Sequence, residues 1–524
     1  MKGLFMQKTF HIRYTSDIHG YFSPTSYADT QEREIGLLRL MTEYPHDGNT
    51  LLIDGGDTLQ GSPFTNYYER IAPEFKLFQL SDNSYGSHPA AAMMNLAGYQ
   101  YITLGNHDFN FGLEELATYL RQLRATCLLA NVRDKAGRLP LQRYAIHTLE
   151  NGLRIGLAGV TSHYIRVWEK PETVEQLEIE DAFTSAREVY EELRDQCDFS
   201  ILIYHGGYEC DLNTRRVLST DTENQACRIC DEIGYDLVLT GHQHIAQPGM
   251  IYGLSYTVQP PQHATHACAI DITLDEGRKT FSSKLLPASA PPSQKGMMIL
   301  SPLERKVQSW LDTPAGFLDQ PLPSVPHLEA ALHGSLVANF INTVQRECTG
   351  AQISTCALPN EYKGFSSTPT IRDIVSTYIY SNTLVVLSIS GADLKKYIEH
   401  TAEYFELLPD GTIGLSERYM RPKVQHYNYD YFSGLDYTID VRRPVGDRVT
   451  RMEMDGRPLS MDEHVTLCIN SYRFSGASDY SMLPGQPVVR AVLTDVCDAI
   501  IAYILERDEV HIETHCWSHI LSDD

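Results

Sequence analysis

Up to about residue 280 the chain alternates short apolar runs with amphipathic stretches, and this alternation limits the possible folds more than any other feature. The runs are rich in β-branched and aromatic residues and are bounded by Gly, Asp or Asn. Amphipathic stretches at 89–97, 113–123 and 181–194 lie between several of them. Such alternation predicts a layered α/β domain with buried sheets. The runs are FHIRYTS, TLLIDGG, YQYITLGN, CLLANV, LRIGLAGVT, DFSILIYHGG and YDLVLTGH.

Five of these runs lead directly into Gly-containing turns that carry Asp, Asn or His. Ligand groups in α/β domains gather at the carboxyl ends of strands. For one such turn alone, a polar turn with a satisfied histidine would be the better explanation, but five in series indicate a shared site. The turn residues are Asp17 and His19; Asp54 and Asp57; Asn106, His107, Asp108 and Asn110; His205; and His242 and His244.

The types of side chain in these turns predict a metal site. Carboxylate, amide oxygen and imidazole suit Mn²⁺, Zn²⁺, Fe²⁺, Co²⁺ or Ni²⁺, and the set has no thiolate to favour zinc. A carboxylate bridging two ions about 3.5–4 Å apart is the arrangement that clamps a phosphoryl group during displacement. We therefore expect two divalent metal ions and phosphoryl chemistry. Asp54 and Asp108 are interpreted as turn carboxylates that support the ligands.

The charge balance argues against a polymeric anion as substrate. The chain has 43 basic and 67 acidic residues, which gives a net charge of −24. Such a surface repels a nucleic-acid backbone and an anionic membrane, so we expect neither as a partner. Two bound metal ions would reverse the sign locally, and the predicted partner is a small anionic molecule.

We expect a cytoplasmic protein. No segment approaches the roughly 18 consecutive apolar residues that span a bilayer, and residues 1–9 lack the apolar core of a signal peptide. The 11 cysteines are scattered and mostly lie in apolar patterns, as is typical of reduced, buried thiols. Cys227 and Cys230 form a CxxC without a second pair. We interpret it as part of a helix, with a zinc or redox role as the alternative.

The composition changes between the two halves of the chain. The Pro/Ser-rich PASAPPSQKG and PAGFLDQPLPSVP flank one helical segment, LSPLERKVQSWLDT, which indicates an interdomain connector. The helical EAALHGSLVANFINTVQREC then opens a second domain with strand-like runs such as TLVVLSIS and VTLCINSY. The predicted divisions are a catalytic domain at 1–285, a connector at 286–326 and a substrate-binding domain at 327–524.

The five turns, in the order D-x-H, GD, GNH(D/E), H and GHxH, resemble those of the calcineurin-like metallophosphoesterases. The phrases GDTLQGSP and TLGNHDFNFG are similar to the 5′-nucleotidase branch, which adds a separate nucleotide-binding domain. The resemblance covers about residues 9–505. It implies a four-layer α/β/β/α metallophosphoesterase domain followed by an α+β nucleotide-binding domain.

The resemblance also implies a role for each ligand. A metal-bound water or hydroxide attacks phosphorus, while His107 steadies the charge on the phosphoryl group. The implied ligands are Asp17, His19 and His244 for the first metal and Asn106, His205 and His242 for the second, with Asp57 bridging both.

One residue beside the predicted catalytic histidine departs from the common pattern. Many 5′-nucleotidases have an Asp that orients the histidine, and this chain has Asn110 there. The 2′,3′-cyclic-nucleotide 2′-phosphodiesterase/3′-nucleotidase branch is similar in having Asn at this position. Asn110 can orient an imidazole, but it cannot stabilise the cation as a carboxylate does.

The second domain resembles the family's base-stacking clamp. NSYRFSGASDY places Tyr472 where one clamp aromatic stands, and YNYDYFSGLDYTID supplies the other face. Tyr429 is the best alignment for that face, with Tyr431 and Phe432 as rivals. Two aromatic faces can stack on any base.

A polar motif of the family's second domain is incomplete in this chain. LPNEYKGFSS lacks the arginine of the Asn-Gly-Gly-Ile-Arg motif, for which Arg372 and Arg473 are the candidate substitutes. Asn382 matches the family's conventional Asn in the stretch that follows.

We therefore expect hydrolysis of nucleotide phosphoesters, with 2′,3′-cyclic-nucleotide 2′-phosphodiesterase/3′-nucleotidase activity favoured by Asn110 and by the pair Tyr472-Arg473. A 5′-nucleotidase or nucleotide-sugar hydrolase is the alternative within the family. A catalytically silent nucleotide-binding protein is the alternative from another class, and the complete set of ligands argues against it. A polymer nuclease would need a basic groove, which the acidic composition disfavours.

Overall fold

The computed structural model describes residues 7–71, 88–169, 171–217, 222–380, 382–420, 424–474, 476, 480–492 and 494–521. The chain divides into two compact units, Met1–Gln308 and Ser309–Asp524. This division falls inside the predicted connector, while the boundaries at 285 and 327 stay predictions. None of the described helices is long and apolar enough to cross a membrane.

The first unit alternates strands and helices. Its strands are β1 Lys8–Thr15, β2 Thr50–Asp54, β3 Tyr101–Ile102, β4 Thr126–Leu128, β5 Val132–Asp134, β6 Leu141–Gln142, β7 Tyr144–Thr148, β8 Arg154–Thr161, β9 Leu177–Ile179, β10 Phe199–His205, β11 Leu237–Thr240, β12 Gln247–Tyr252, β13 Ser255–Gln259, β14 His266–Asp275 and β15 Arg278–Pro287. Its helices are α1 Leu37–Leu40, α2 Pro63–Asn66, α3 Pro89–Ala97, α4 Leu113–Gln122, α5 Ile165–Trp168, α6 Pro171–Val174, α7 Ala182–Leu193 and α8 Ala226–Glu232. Helix α9, Gln294–Leu311, contains the division between the units.

Two large sheets form the centre of the first unit. One has the strand order β15-β14-β1-β2-β3-β4-β6 and the other β12-β13-β11-β10-β8-β7. Strands β1, β2, β3 and β4 run parallel to one another, as do β8, β10, β11 and β13. Because carboxyl ends of parallel strands meet at one edge of a sheet, the turns after β1, β2 and β3 lie together, and so do those after β10 and β11.

The two sheets pack face to face around one apolar cluster. Leu51 and Ile53 on β2 share this cluster with Ile201 and Ile203 on β10 and Leu239 on β11. Full burial of each such side chain contributes roughly 1.5–3 kcal/mol. All residues of β2 and β10 are buried, which explains why both read as continuous apolar runs rather than as alternating patterns.

Helices cover the outer face of the six-stranded sheet. Leu202 on β10 and Val238 on β11 belong to a second cluster with Val189 on α7 and Ile229 on α8. Helix α7 begins at Asp181, whose side chain accepts the backbone N–H of Thr184, as an N-cap residue does. The predicted layered α/β architecture is confirmed.

The second unit combines antiparallel and mixed sheets with helices. Its strands are β16 Leu322–Pro323, β17 Ile353–Ala357, β18 Gly364–Phe365, β19 Leu384–Ser390, β20 Phe405–Leu407, β21 Ile413–Leu415, β22 Asp430–Ser433, β23 Asp436–Asp440, β24 Val449–Met454, β25 Arg457–Pro458, β26 His464–Asn470, β27 Val488–Val492 and β28 Ser518–Leu521. Its helices are α10 His327–His333, α11 Leu336–Thr349, α12 Ile371–Thr377, α13 Gly391–Ala402, α14 Glu417–Met420, α15 Ser471–Phe474 and α16 Val496–Leu505.

The main sheet of the second unit has the order β22-β17-β26-β19-β27, and a four-stranded sheet has the order β25-β24-β23-β28. Helix α11 packs on β17 and β22. It begins at the N-cap Ser335 and ends at Gly350, whose φ of 67° is the left-handed conformation of a C-terminal glycine. The predicted α+β character of this domain is confirmed.

Candidate metal centre

The residues predicted to bind metal all lie at the carboxyl ends of strands in the first unit. Three strands of the seven-stranded sheet and two of the six-stranded sheet position them. Asp17 and His19 follow β1, Asp57 follows β2, Asn106 follows β3, His205 ends β10, and His242 and His244 follow β11.

The first donor group contains Asp17, His19 and His244, whose potential ligand atoms lie within 4.8 Å of one another. His19 Nε2 is 3.1 Å from His244 Nε2, and His244 Nε2 is 3.3 Å from Asp17 Oδ1. His19 Nδ1 donates to the carbonyl of Gln60 at 2.7 Å, which leaves Nε2 with its lone pair in the neutral ring. Burial outweighs the nearby carboxylates and lowers the pKa of His19 to about 4, so the ring is neutral at pH 7.

The second donor group contains Asp57, His205 and His242. Asn106 joins it, because its Oδ1 lies 3.0 Å from His242 Nδ1. His205 Nδ1 donates to the carbonyl of Gly55 at 2.7 Å. Its buried Nε2 lies 3.2 Å from Asp57 Oδ2 and has no hydrogen-bond partner among the described residues. Burial alone would lower the pKa of His205, but the carboxylate of Asp57 outweighs it and raises the pKa to about 10.

Asp57 faces both groups. Its Oδ2 is 3.2 Å from His205 Nε2 and 3.9 Å from His19 Nε2, while its Oδ1 accepts the backbone N–H of His107 at 2.7 Å. A Cβ on Gly105 would lie 2.1 Å from Asp57 Oδ1, so the carboxylate needs glycine there. A buried carboxylate between two clusters of imidazole nitrogens fits two divalent cations, because ions held on both sides would satisfy the unpartnered nitrogen.

Five of these residues have left-handed backbone, which is rare outside glycine. The φ angles are 57° at Asp17, 52° at His19, 55° at Asp57, 72° at His242 and 57° at His244. Each costs of order 1–3 kcal/mol, and such residues persist where the surroundings over-determine them, typically at functional sites. The strain is therefore independent support for a functional role of these turns.

Asp54 and Asp108 hold the turns in place. Asp108 accepts the backbone N–H groups of Asp57, Thr58, Leu59 and Gly105, each at 2.9 Å. Asp54 accepts the N–H of Gly56 and the hydroxyls of Thr15 and Thr58. Burial raises the pKa of Asp108 to about 6 and that of Asp54 to about 7. Both carboxylates support the ligand turns, as interpreted from the sequence.

The predicted catalytic histidine is held by a chain of side chains. His107 Nδ1 lies 2.8 Å from Asn110 Oδ1, and Asn110 Nδ2 donates to Glu169 Oε2 at 3.0 Å.

A second carboxylate, Glu223, holds one of the proposed metal ligands, because it accepts from His242 Nε2 at 2.7 Å. Sequence reasoning missed Glu169 and Glu223, because each is distant in sequence from its partner and neither belongs to a motif.

A third group of donors is formed by Glu209, Cys210 and Cys227. Glu209 already accepts the backbone N–H groups of Cys227 and Arg228. Burial raises the pKa of the Cys227 thiol to about 12, so the thiol is protonated at pH 7. Cys227 and Cys230 lie buried in α8, as the sequence predicts, and we keep the structural interpretation of this pair.

The residues predicted to bind substrate in the second unit lie in different surroundings. Tyr472 is 45% exposed. Tyr429 is about 1% exposed and packs against Tyr404 and Phe405, with ring centroids 4.7 and 5.6 Å away. The structure therefore corrects the prediction that Tyr429 offers an open face to a base. Its rivals Tyr431 and Phe432 are buried as well.

The two arginines proposed as substitutes are also engaged inside the unit. Arg473 is 2% exposed, with Nε 2.7 Å from Asp430 Oδ2 and Nη2 donating to Asp430 Oδ1 at 3.0 Å. Arg372 is buried and donates from Nε to Asp312 at 2.8 Å. The expectation that either is free to contact a phosphate is corrected, because each guanidinium group is paired with a carboxylate, Arg473 with the buried Asp430 and Arg372 with the exposed Asp312. Asn382 accepts the N–H of Val496 through its carbonyl.

Tyr427, a half-buried aromatic that sequence reasoning did not select, lies in the same region as Tyr472, the exposed residue predicted for the clamp, because both interact with Tyr380. Burial raises the pKa of Tyr380, and the phenols of Tyr427 and Tyr472 raise it further. Tyr427 is half-buried, and its carbonyl accepts from Arg473 Nη2 at 3.1 Å. The signal that could have identified Tyr427 is its place in the same aromatic run as Tyr429.

Comparison with known families defines the class of this protein. The calcineurin-like phosphoesterase model matches residues 10–246, and the 5′-nucleotidase C-terminal domain model matches residues 315–485. The chain is therefore a phosphoester hydrolase with a four-layer α/β/β/α metallophosphoesterase domain followed by an α+β domain. It belongs to the 5′-nucleotidase/2′,3′-cyclic-nucleotide 2′-phosphodiesterase family.

Individual relatives are similar over almost the whole chain. A candidate 5′-nucleotidase of Staphylococcus aureus, crystallised with α-ketoglutarate, has a TM-score of 0.83 and 28% identity, covering 98% of this chain and 100% of that one. The 2′,3′-cyclic-nucleotide 2′-phosphodiesterase/3′-nucleotidase of Yersinia enterocolitica is 24% identical over 95% of this chain and 85% of its own length. The trifunctional nucleotide phosphoesterase YfkN of Bacillus subtilis is 23% identical over 95% of this chain, which spans 38% of that protein.

Proposed function

We propose that this chain hydrolyses nucleotide phosphoesters at a two-metal site. The observation that carries the proposal is the position of Asp57 between two groups of donors, with an unpartnered imidazole nitrogen beside it. Two divalent cations bound there would act as Lewis acids on the phosphoryl oxygens and lower the pKa of a coordinated water. The proposed ligands are Asp17, His19 and His244 on one side, Asn106, His205 and His242 on the other, and Asp57 between them.

In this proposal the protein orients the phosphoryl group and handles the proton of the leaving oxygen. The backbone N–H of His107 is fixed by Asp57, and its ring Nδ1 by Asn110. The ring therefore keeps Nε2 for the phosphoryl or leaving oxygen, where a positioned histidine contributes about 10²- to 10⁴-fold in rate. Mn²⁺, Zn²⁺, Fe²⁺, Co²⁺ and Ni²⁺ all suit these donors.

Within this chemistry we propose 2′,3′-cyclic-nucleotide 2′-phosphodiesterase/3′-nucleotidase activity. Relatives with this name from Yersinia, Salmonella and Haemophilus are 22–24% identical over 89% or more of the chain. Asn110 beside His107 and the pair Tyr472-Arg473 are the features of this chain that favour that branch. The cytoplasmic location is part of the same proposal, and eleven free thiols support it.

A 5′-nucleotidase or nucleotide-sugar hydrolase is the second candidate. The structural match to the Staphylococcus aureus protein favours it, and a bovine 5′-nucleotidase is 22% identical over 91% of the chain. The two candidates share the metal site and differ in how the nucleotide is held.

A substrate panel distinguishes the two candidates. With added Mn²⁺, the panel would measure phosphate release from 2′-, 3′- and 5′-AMP and ring opening of 2′,3′-cyclic AMP. It would also measure hydrolysis of UDP-glucose, whose phosphorylated products release phosphate when a phosphatase is added afterwards. We expect opening of the cyclic ester to 3′-AMP, followed by phosphate release from 3′-AMP. Turnover of 5′-AMP alone would overturn the proposed specificity and leave the two-metal chemistry standing.

A second experiment tests whether the chain is a catalytically silent nucleotide-binding protein. Asp57→Asn removes one negative charge from the proposed bridge and changes little in volume. We expect it to abolish turnover while nucleotide affinity, measured by calorimetry with non-hydrolysable nucleotide, changes much less. A wild-type chain that binds nucleotide and turns over none of the panel with any of the five metals would favour the silent binder.

For the base we propose stacking on Tyr472, with Tyr427 as the aromatic opposite it in place of Tyr429. Stacking on an aromatic ring contributes about 1–3 kcal/mol per base. Tyr472→Ala should therefore raise KM for nucleotides about tenfold and leave hydrolysis of p-nitrophenyl phosphate, which has no base, unchanged. Tyr190→Ala on the first unit is the control. An equal loss on both substrates would contradict a stacking role.

A further inference from the structure

A row of hydrogen-bonded side chains runs from His107 to a carboxylate, Glu169, that belongs to no sequence motif. His107 Nδ1, Asn110 and Glu169 are joined by hydrogen bonds of 2.8 and 3.0 Å. Glu169 follows α5 and is about 7% exposed. We propose that Glu169 is a positioning residue for His107 and acts through Asn110. The inference rests on the proposed function of the site.

Glu169 decides which way the Asn110 amide points. An ionised carboxylate only accepts hydrogen bonds, so the nitrogen of the amide must face Glu169 and its oxygen must face His107. With the amide reversed, two oxygens would meet at about 3 Å inside the protein, where unpaired acceptors are costly. The orientation of Asn110 is therefore fixed by a charge and does not depend on its own rotamer preference.

The fixed amide in turn decides the tautomer of His107. Its oxygen can only accept, so Nδ1 of the ring carries a hydrogen and Nε2 is the nitrogen left for the substrate. Without Glu169 the amide could turn over and donate to Nδ1. The hydrogen of the neutral ring would then lie on Nε2, and Nδ1–H of the imidazole would no longer have an acceptor.

The held ring presents Nε2 to the leaving oxygen. When the bond between phosphorus and the leaving oxygen breaks, the electron pair of that bond stays on the leaving oxygen, and this oxygen receives a proton through Nε2. The attacking water supplies the oxygen of the new bond to phosphorus, and one proton of this water replaces the proton given to the leaving oxygen. Glu169 acts by holding the amide of Asn110 and, through it, the orientation of the imidazole ring.

Three variants separate orientation from packing. Glu169→Ala removes the acceptor and should lower kcat for nucleotides about 10- to 100-fold with little change in KM, as loss of an outer hydrogen-bond partner does. Glu169→Gln keeps an oxygen for Asn110 and should fall between Glu169→Ala and wild type. Glu172→Gln, an exposed carboxylate three residues away, is the matched control and should stay within about twofold of wild type.

The most specific test exchanges the donor and the acceptor in the hydrogen bond between residues 110 and 169. Asn110→Asp places two carboxylates within hydrogen-bond distance and should be about as impaired as Glu169→Ala. In Asn110→Asp/Glu169→Gln the new glutamine donates to the new aspartate, which accepts from His107. The double variant should therefore recover at least tenfold in kcat over Asn110→Asp. A residue with only a packing role would not be rescued by this exchange.

Two further readouts separate the proposal from misfolding. With an aryl phosphate, whose leaving oxygen needs no proton, the loss in Glu169→Ala should shrink to about threefold or less. In the metal-free, ¹⁵N-histidine-labelled chain, the His107 signals, assigned with His107→Gln, should show the Nδ1–H tautomer in wild type and a mixture in Glu169→Ala. The midpoint of thermal unfolding of each variant serves as the control for correct folding.

The outcomes distinguish this inference from the proposed function. Glu169→Ala with wild-type kcat, or a double variant no better than Asn110→Asp, would overturn the positioning role while leaving the enzyme's activity intact. Equal losses with nucleotide and aryl ester would also overturn it. A wild-type chain inactive on every phosphoester would instead refute the proposed function, and the tautomer measurement would still test the hydrogen-bonded chain itself.

Discussion

Three of the four histidines of the candidate metal centre are held by one ring nitrogen so that the other is presented to the site. His19 and His205 donate Nδ1–H to backbone carbonyls, whereas His242 donates Nε2–H to the carboxylate of Glu223. The opposite nitrogens, Nε2 in the first two rings and Nδ1 in His242, therefore face the site and are the ones available to an ion. The hydrogen-bond partner of each ring selects the nitrogen that it offers, and the pKa of about 10 means that His205 loses a proton when an ion binds.

Glu223 is the residue whose loss should affect one metal more than the other. Because it fixes His242, Glu223→Ala should weaken binding at the second site about 10- to 100-fold and leave the first unchanged. Competition titration with a fluorescent chelator would measure both affinities. Glu188→Ala, an exposed position on α7, is the control. Equal weakening at both sites would contradict the assignment of His242 to one ion.

At the scale of elements, the turns after β1, β2, β3 and β11 determine the site, and glycine at one of them is required by space. Gly105 has no left-handed φ, so Ala there meets Asp57 only through its Cβ, 2.1 Å from Oδ1. Gly105→Ala should therefore displace Asp57 and lower metal affinity at least tenfold, with a smaller effect on the thermal midpoint. Gly137→Ala is the control for a generic loss of stability, because it strains a backbone with a φ of 68° while its Cβ meets nothing within 4 Å. Unchanged metal affinity in Gly105→Ala would contradict this geometry.

A stacked histidine pair should make the second unit sensitive to acid. His327 on α10 and His426 stack with centroids 4.0 Å apart. Burial, with a contribution from His327, lowers the pKa of His426 to about 4. An unfolded histidine titrates near 6.5, so the unfolded chain takes up the proton first. The stability contribution is thus present above pH 6.5 and is lost as the pH falls toward 4.

The corresponding measurement is the thermal midpoint of the second unit between pH 7 and pH 4.5. His426→Asn should reduce the fall of the midpoint across this range relative to wild type. His333→Asn, whose side chain is 73% exposed on α10, should leave the fall unchanged. A wild-type midpoint that does not depend on pH in this window would contradict the lowered pKa.

The elements that sequence reasoning placed well are those with a strong local pattern. The helices at 89–97, 113–123 and 181–194 are found as Pro89–Ala97, Leu113–Gln122 and Ala182–Leu193, because amphipathic periodicity and capping are local signals. The ligand turns were visible because each follows an apolar run. The failures lie in tertiary packing: Tyr429 sits in an aromatic-rich run in which only the folded core decides which ring is buried.

Long-range partners were also beyond the reach of the sequence. Glu169 and Glu223 are ordinary acidic residues among 67 acidic positions, and only folding brings them to Asn110 and His242. The left-handed backbone at the five ligand residues likewise has no signature in side-chain type, and only three of them, His19, Asp57 and His242, are next to a glycine. Charge pairing of Arg473 with Asp430 depends on the approach of β22 to α15, which no local pattern encodes.

At the scale of the whole molecule, the net charge of −24 opposes the approach of any anionic substrate. Salt screens this repulsion, since the Debye length falls to about 8 Å at 0.15 M ionic strength. We expect kcat/KM for a mononucleotide to rise about two- to threefold between low and moderate ionic strength. A steep fall with salt, as for a protein that binds nucleic acid through a basic groove, would contradict this account of its partners.

The most direct test of the central claim is the initial rate of 2′,3′-cyclic AMP and 3′-AMP hydrolysis against added Mn²⁺, in wild type and Asp57→Asn after removal of metal by a chelator. We predict no turnover before Mn²⁺ is added, activity restored as two ions bind per chain, and a rate at least about 100-fold lower in a folded Asp57→Asn variant. Turnover that survives chelation, or an Asp57→Asn variant as active as wild type, would contradict a two-metal site built around Asp57.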